Sequence, residues 1–116
     1  MKVLIVDDHA LFRVGLQGLL ERRGLQVVGA AAEGEEGLRL VETLKPDVVL
    51  LDLRMPDLGG LSVLRHIVEQ GLEIPVVMLT TSADEGDLSE SLRNGARGYL
   101  LKEMEPDELV LSLIHI

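Results

Sequence analysis

Two adjacent carboxylates, Asp7 and Asp8, close the apolar run VLIV (3–6), and a helical pattern starts directly after them near His9. Folding gains nothing from two like charges at a strand end. The pair repels, and any burial removes hydration that only a cation or hydrogen-bond donors can replace. Asp52 ends a second apolar run, VVLLD; VVMLTT (76–81) ends in Thr80 and Thr81, and GYLLK (98–102) ends in Lys102. Three carboxylates, a hydroxyl and an amine form a set with defined chemistry if they meet. An all-oxygen site with few protein ligands suits Mg2+, which keeps several waters and bridges to phosphate oxygens. An Asp beside that ion can attack phosphorus to give an acyl phosphate, while metal, ammonium and hydroxyl stabilise the transferred group's equatorial oxygens.

Such chemistry needs the apolar runs to lie side by side. Strands are expected at Lys2 to Val6, Gln26 to Ala31, Asp47 to Leu51, Pro75 to Thr80 and Arg97 to Leu101. Several are near-continuous in Val, Ile and Leu, the pattern of parallel strands covered on both faces. Helical patterns alternate with them. Phe12, Leu16, Leu19 and Leu20 share one face, finished by Arg22, Arg23 and Gly24. Leu38, Val41 and Leu44 mark a second helix, stopped before Pro46, and Leu61, Leu64 and Val68 a third, ended by Gly71. The fourth, from about Asp84 to Asn94, has Asp84 as N-cap but only Leu88 and Leu92 as large apolar anchors, so it should sit loosely. The fifth starts at Pro106 with Asp107 and Glu108 beside the positive end of its dipole. Its apolar residues keep to no single stripe, which suits packing or self-association. The result is an α/β domain, (βα)5, a doubly wound five-stranded parallel sheet of order 2-1-3-4-5. Its ligand site is expected beyond the C-terminal ends of strands one and three.

Composition narrows the function further. A chain of 116 residues, 47% hydrophobic, is the size of one domain with its own core, and it has no cysteine for a disulfide, thiol nucleophile or zinc–thiolate site. Twenty acidic against eleven basic residues give a net charge of −9, which opposes docking on nucleic acid or an anionic membrane. One Phe, one Tyr and no Trp provide no stacking platform for bases. The first apolar run is too short for a signal-peptide core, and no stretch is long enough to span a bilayer, so a cytoplasmic location is expected.

VLIVDD (3–8), VVLLDLRMP (48–56), VVMLTT (76–81) and GYLLK (98–102), in this order and spacing, resemble a response-regulator receiver domain of the CheY-like fold over essentially the whole chain. DDHALFRVGL (7–16) and GARGYLLKEMEPDEL (95–109) resemble the NarL/FixJ subfamily, whose members usually carry a C-terminal LuxR-type helix-turn-helix. The resemblance implies that residues 1–116 are the receiver domain of a longer regulator, whose DNA-binding output domain lies outside this sequence. It implies a sensor histidine kinase as phosphodonor, Asp52 as phosphoacceptor, and a dimer on activation. Asp8, Asp52 and the backbone carbonyl of Arg54 would bind Mg2+ directly, and Asp7 through water. Lys102 would contact the phosphoryl oxygens, and Thr80 and Tyr99 would be the switch pair, acting on the face formed by the fourth helix, fifth strand and fifth helix. Such a domain is not an enzyme beyond promoting its own phosphorylation and dephosphorylation.

Departures from the common pattern carry their own expectations. Glu103 follows the lysine where proline is frequent, leaving the geometry of that peptide bond open. Gly59 stands where an Asp is frequent, so the third helix loses a side-chain cap. Thr81 and Arg54 stand where they can restrict water's access to a phosphoryl group, predicting slow self-dephosphorylation. Plainer roles exist for each residue: Asp7 as a helix-capping acid, Asp52 and Lys102 as solvated charges, Thr80 as a β-former, Tyr99 as a half-exposed aromatic. His66 and His115 read as surface or packing residues, and helix initiation accounts for His9. Three other functions compete. A Mg2+-dependent phosphotransferase or phosphatase would need a second acid where Arg54 stands. An FMN carrier would need a phosphate loop after strand one and ring-stacking aromatics. A phosphorylation-independent interaction scaffold would not need the complete acid, hydroxyl and lysine set.

Overall fold

The computed structural model describes residues 1–81 and 84–115. Five strands alternate with five helices: β1 Lys2–Val6, α1 Ala10–Arg22, β2 Gln26–Ala31, α2 Gly34–Leu44, β3 Val48–Asp52, α3 Gly60–Glu69, β4 Val76–Thr80, α4 Glu85–Arg93, β5 Gly98–Leu101 and α5 Pro106–Ile114. The sheet is parallel throughout, with order β2-β1-β3-β4-β5. The third, fourth and fifth strands each start one residue later than the sequence suggests, and β3 runs on to include Asp52.

Alternation along the strands divides the core between two faces. Val3, Ile5, Leu50, Val77, Leu79 and Leu100 point to one side and pack with Leu16 and Leu20 of α1 and Leu109, Val110 and Leu113 of α5. Leu4, Val6, Val49, Leu51, Val76 and Met78 point to the other and meet Val41 of α2 and Val63, Leu64 and Ile67 of α3. Each such fully buried aliphatic side chain contributes about 1.5 to 3 kcal/mol. Covered on both faces, β3 and β4 are buried at every position.

Two helical faces differ from those expected. In α3, Val68 lies 49% exposed, and Val63 and Ile67 take the inward positions beside Leu64. The reason is phase: 63, 64 and 67 make one stripe of the 3.6-residue period, and 68 falls just outside it. In α4 both expected anchors, Leu88 and Leu92, are largely outside, and the one buried residue is Ser91. Neither core cluster contains a residue of α4. The expectation of thin anchoring therefore holds more strongly than Leu88 and Leu92 implied. Asp84 is the N-cap, accepting hydrogen bonds from the backbone N–H groups of Gly86 and Asp87.

Other local expectations are met. Arg23 caps α1 and Gly24 follows at φ 84°, a conformation that favours glycine. Gly59 begins α3 without a side-chain cap. On α5, Leu111 and Ile114 stay exposed while Leu109, Val110 and Leu113 are buried. No cis peptide bond occurs among the described residues, so the Lys102–Glu103 bond is trans.

Candidate functional site

The parallel register brings the strand ends to one edge: Val6 pairs with Leu51, Asp52 with Leu79, and Thr80 with Leu101. Backbone bonds hold the next residues in place. Asp7 N–H donates to the Ala31 carbonyl at 2.9 Å, Leu53 N–H to Leu79 at 2.9 Å, and Lys102 N–H to Thr80 at 2.8 Å. Asp7, Asp52 and Thr80 are thereby buried as polar residues at a sheet edge.

Lys102 is the counter-charge. Its Nζ lies 2.8 Å from Asp7 Oδ2 and 3.5 Å from Asp52 Oδ2, with the side chain 7% exposed and the ammonium 4.8 Å from the centroid of Phe12. The Phe12 face shields the ammonium from water and adds a cation–π attraction. One cation does not satisfy three acids. Asp7 Oδ2, Asp8 Oδ1 and Asp52 Oδ2 are buried and accept no hydrogen bond, so Lys102 meets the first and last by charge alone.

The cost falls on Asp52, whose carboxyl is raised from 3.8 to about 6. Burial is the main cause, followed by a side-chain hydrogen bond with Asp8 and the charge of Asp7; Lys102 and the Arg54 N–H act in the opposite direction. These are the conditions under which a divalent cation binds well: orphaned buried oxygens, excess negative charge, and an all-oxygen donor set from Asp7, Asp8 and Asp52. The residues present fit Mg2+.

The other expected residues lie at or beside this edge. Arg54 N–H faces Asp52 Oδ1 at 3.4 Å, while its guanidinium turns outward to Asp87 of α4 at 2.7 Å. Thr80 ends β4, fully buried. Tyr99 is half-buried in β5 and packs on the core face that carries α2 and α3. His66 and His115 are exposed, and His115 Nδ1 contacts the Leu111 carbonyl.

His9 corrects the sequence reading. It occupies the N-cap position of α1 but makes no side-chain cap. Its Nδ1 instead lies 3.2 Å from Asp7 Oδ1, 3.5 Å from Asp8 Oδ1, 3.6 Å from Asp52 Oδ2 and 3.0 Å from Lys102 Nζ. Its position directly after the two aspartates was a signal available in the sequence. Asp7 does serve the local turn, since its Oδ1 accepts the His9 backbone N–H at 2.8 Å.

Two supporting residues left no such signal. Asp57 accepts hydrogen bonds from the N–H groups of Gly34 and Glu35, which cap α2 from a different loop and hold its carboxyl below the usual range. At Gly60 an added Cβ would strike the Asp52 carbonyl oxygen and stand 2.8 Å from Leu53 Cα, so the start of α3 lies directly against the backbone that carries Asp52.

The chain matches the family described as response regulator receiver domain over residues 3–114. It is 42% identical over 112 residues to the nitrate/nitrite response regulator protein NarL of Escherichia coli K12, a match covering 96% of this chain and 52% of that protein. Among solved structures it is similar to a LuxR-family two-component response regulator from Aurantimonas sp. SI85-9A1, with TM-score 0.93, 34% identity, and 98% and 82% of the two chains covered. It is also similar to a CheX–CheY–BeF3–Mg2+ complex from Borrelia burgdorferi, with TM-score 0.94, 26% identity, and 99% and 87% covered. The chain belongs to the response regulator receiver domain family. Its relatives place it with the NarL and LuxR type of two-component regulators, whose receivers are regulatory domains. It spans about half the length of the curated relatives it matches.

Proposed function

We propose that this domain takes a phosphoryl group onto Asp52 from the phosphohistidine of a partner kinase and passes the change to an attached DNA-binding domain. The observation that carries the reading is the buried strand-end cluster: Asp52 beside Asp7, Asp8 and Lys102, with carboxylate oxygens that accept no hydrogen bond. An Asp52 oxygen attacks phosphorus, the bond to the donor's imidazole nitrogen breaks, and the imidazole leaves with that electron pair. Asp8, Asp52 and the Arg54 carbonyl would hold Mg2+ directly and Asp7 would hold it through water; when bound, the ion supplies positive charge to the phosphoryl oxygens. The similar Borrelia burgdorferi structure is a complex with BeF3 and Mg2+, which supports that choice of ion. Lys102 exchanges part of its pairing with Asp7 for the new dianion, and the Thr80 hydroxyl turns to it.

The response falls on the face of α4, β5 and α5. Helix α4 adds nothing to either core cluster, so moving it sacrifices little packing. Inward rotation of Thr80 leaves room for the Tyr99 ring, and the altered face pairs with a second copy of the chain. Arg54 and Thr81 slow loss of the phosphoryl group by limiting water's approach.

Incubation with Mg2+ and acetyl phosphate or phosphoramidate, read by intact mass, tests the reading. One added phosphoryl group is expected on the wild type, none with EDTA and none on Asp52→Asn. A folded, Mg2+-binding wild type with no adduct would leave a phosphorylation-independent scaffold in its place.

A further inference from the structure

The chemistry assigned to this edge uses only its oxygen ligands, yet an imidazole stands among them. His9 Nδ1 lies 3.2, 3.5 and 3.6 Å from oxygens of Asp7, Asp8 and Asp52, and one ligand atom from each of these four residues falls within 4.8 Å of all the others. Two ligands each about 2.1 Å from one octahedral ion are about 3.0 Å apart when adjacent and about 4.2 Å when opposite. The three His9 distances exceed the adjacent spacing by about 0.2 to 0.6 Å. The His9 side chain is 62% exposed, which leaves it room to make that shift.

The acids do not make this site on their own account. Asp7 and Asp52 are almost wholly buried, and the oxygen that each turns into the cluster forms no hydrogen bond and is offset by the Lys102 charge alone. Nor is the imidazole spent on its helix, since it makes no side-chain cap to α1. Its Nδ1 faces the Lys102 ammonium at 3.0 Å, and an ammonium can only donate, so with the ring proton on Nε2 this contact takes the Nδ1 lone pair. The same lone pair is the one a metal would take.

We propose that His9 adds an imidazole ligand, through Nδ1, to the direct ligands Asp8, Asp52 and the Arg54 carbonyl, so that the site also takes a first-row transition-metal dication such as Mn2+ and prefers it to Mg2+. The chemical basis is ligand type. Mg2+ is served by oxygen and water and gains little from nitrogen, whereas affinity for nitrogen-containing sites rises along the first transition row. Lys102 must then release Nδ1, and the incoming cation replaces its charge beside Asp7 and Asp52. The inference rests on the receiver reading in placing a divalent cation at these carboxylates; it adds the fourth ligand and the resulting choice of ion.

Pulsed electron paramagnetic resonance of the Mn2+-loaded chain tests it, since directly bound nitrogen modulates the echo. The wild type is expected to show that modulation, and His9→Ala and His9→Gln to lose it. Calorimetric titration with Mn2+ and with Mg2+ should show the ratio of the two affinities falling about tenfold or more in both variants, the size usual for losing an element of a metal site. Mn2+ bound without nitrogen modulation, or an affinity ratio unchanged by both substitutions, would overturn the proposal. The two readings fail separately: an Mg2+-dependent phosphoryl adduct on Asp52 without nitrogen modulation overturns the role of His9 alone, and failure of both cations to bind overturns the cation site as well.

Discussion

Asp52 is placed where its charge is costly, and the cost is measurable without any ligand. In chelator its carboxyl titrates near 6 in the folded chain against 3.8 as a free group, so the folded state holds the proton more tightly than the unfolded state. Stability from this residue is therefore complete below about pH 3.8 and is lost as pH rises through about 6. At neutral pH the penalty is on the order of 3 kcal/mol. Asp57 acts in the opposite sense, because its depressed carboxyl stabilises the fold once ionised. Denaturant unfolding of wild type and Asp52→Asn in EDTA isolates the first effect by difference. Asn is expected to be more stable by about 1 to 3 kcal/mol at pH 7, with the gap closing towards pH 4. An Asn variant no more stable than wild type at pH 7 would contradict this electrostatic picture of the site.

Elements differ in how firmly they hold the site. Helix α3 is pressed against the chain after β3 at Gly60, so Gly60→Ala must displace either the helix or the Asp52 backbone. It should cost about 1 to 3 kcal/mol in urea unfolding and lower the rate of adduct formation at Asp52 as well. On α4, Leu88→Ser and Leu92→Ser should each cost less than about 0.5 kcal/mol, whereas Leu64→Ala on α3 should cost about 2 to 5 kcal/mol. The strands and their order were readable because β3 and β4 are apolar at nearly every position, a pattern that two-sided burial imposes on parallel strands. Asp7, Asp8, Asp52, Thr80 and Lys102 were readable because each ends a strand or follows one within two residues. The inward face of α3 was not, since Leu61, Val63, Leu64, Ile67 and Val68 offer two overlapping stripes and only packing selects one. Asp57 was hidden for a different reason: it caps a helix that begins 23 residues before it, a contact no local pattern encodes.

For the molecule as a whole, the net charge of −9 and the focus of three acids, two of them buried, at one edge make cations general stabilisers of the fold. Monovalent salt acts by screening, and a bound divalent ion acts by mass action, adding about 2.7 kcal/mol at a concentration one hundred times its dissociation constant. Thermal unfolding should therefore move upward with Mg2+ at constant ionic strength, and Asp8→Asn should lose most of that rise; an equal rise in the variant would place the ion elsewhere. Among the described residues no helix is long and apolar enough to cross a membrane, and the parallel sheet brings every group of the site to a single edge. That convergence on one acceptor is the central claim. Borohydride reduction of the acetyl phosphate-treated chain, followed by peptide mass spectrometry, reads it directly, because hydride converts an aspartyl phosphate to homoserine. Homoserine is expected at position 52 alone, in Mg2+ and not in EDTA. Homoserine at position 7 or 8, or at no position in a chain that binds Mg2+, would contradict the account.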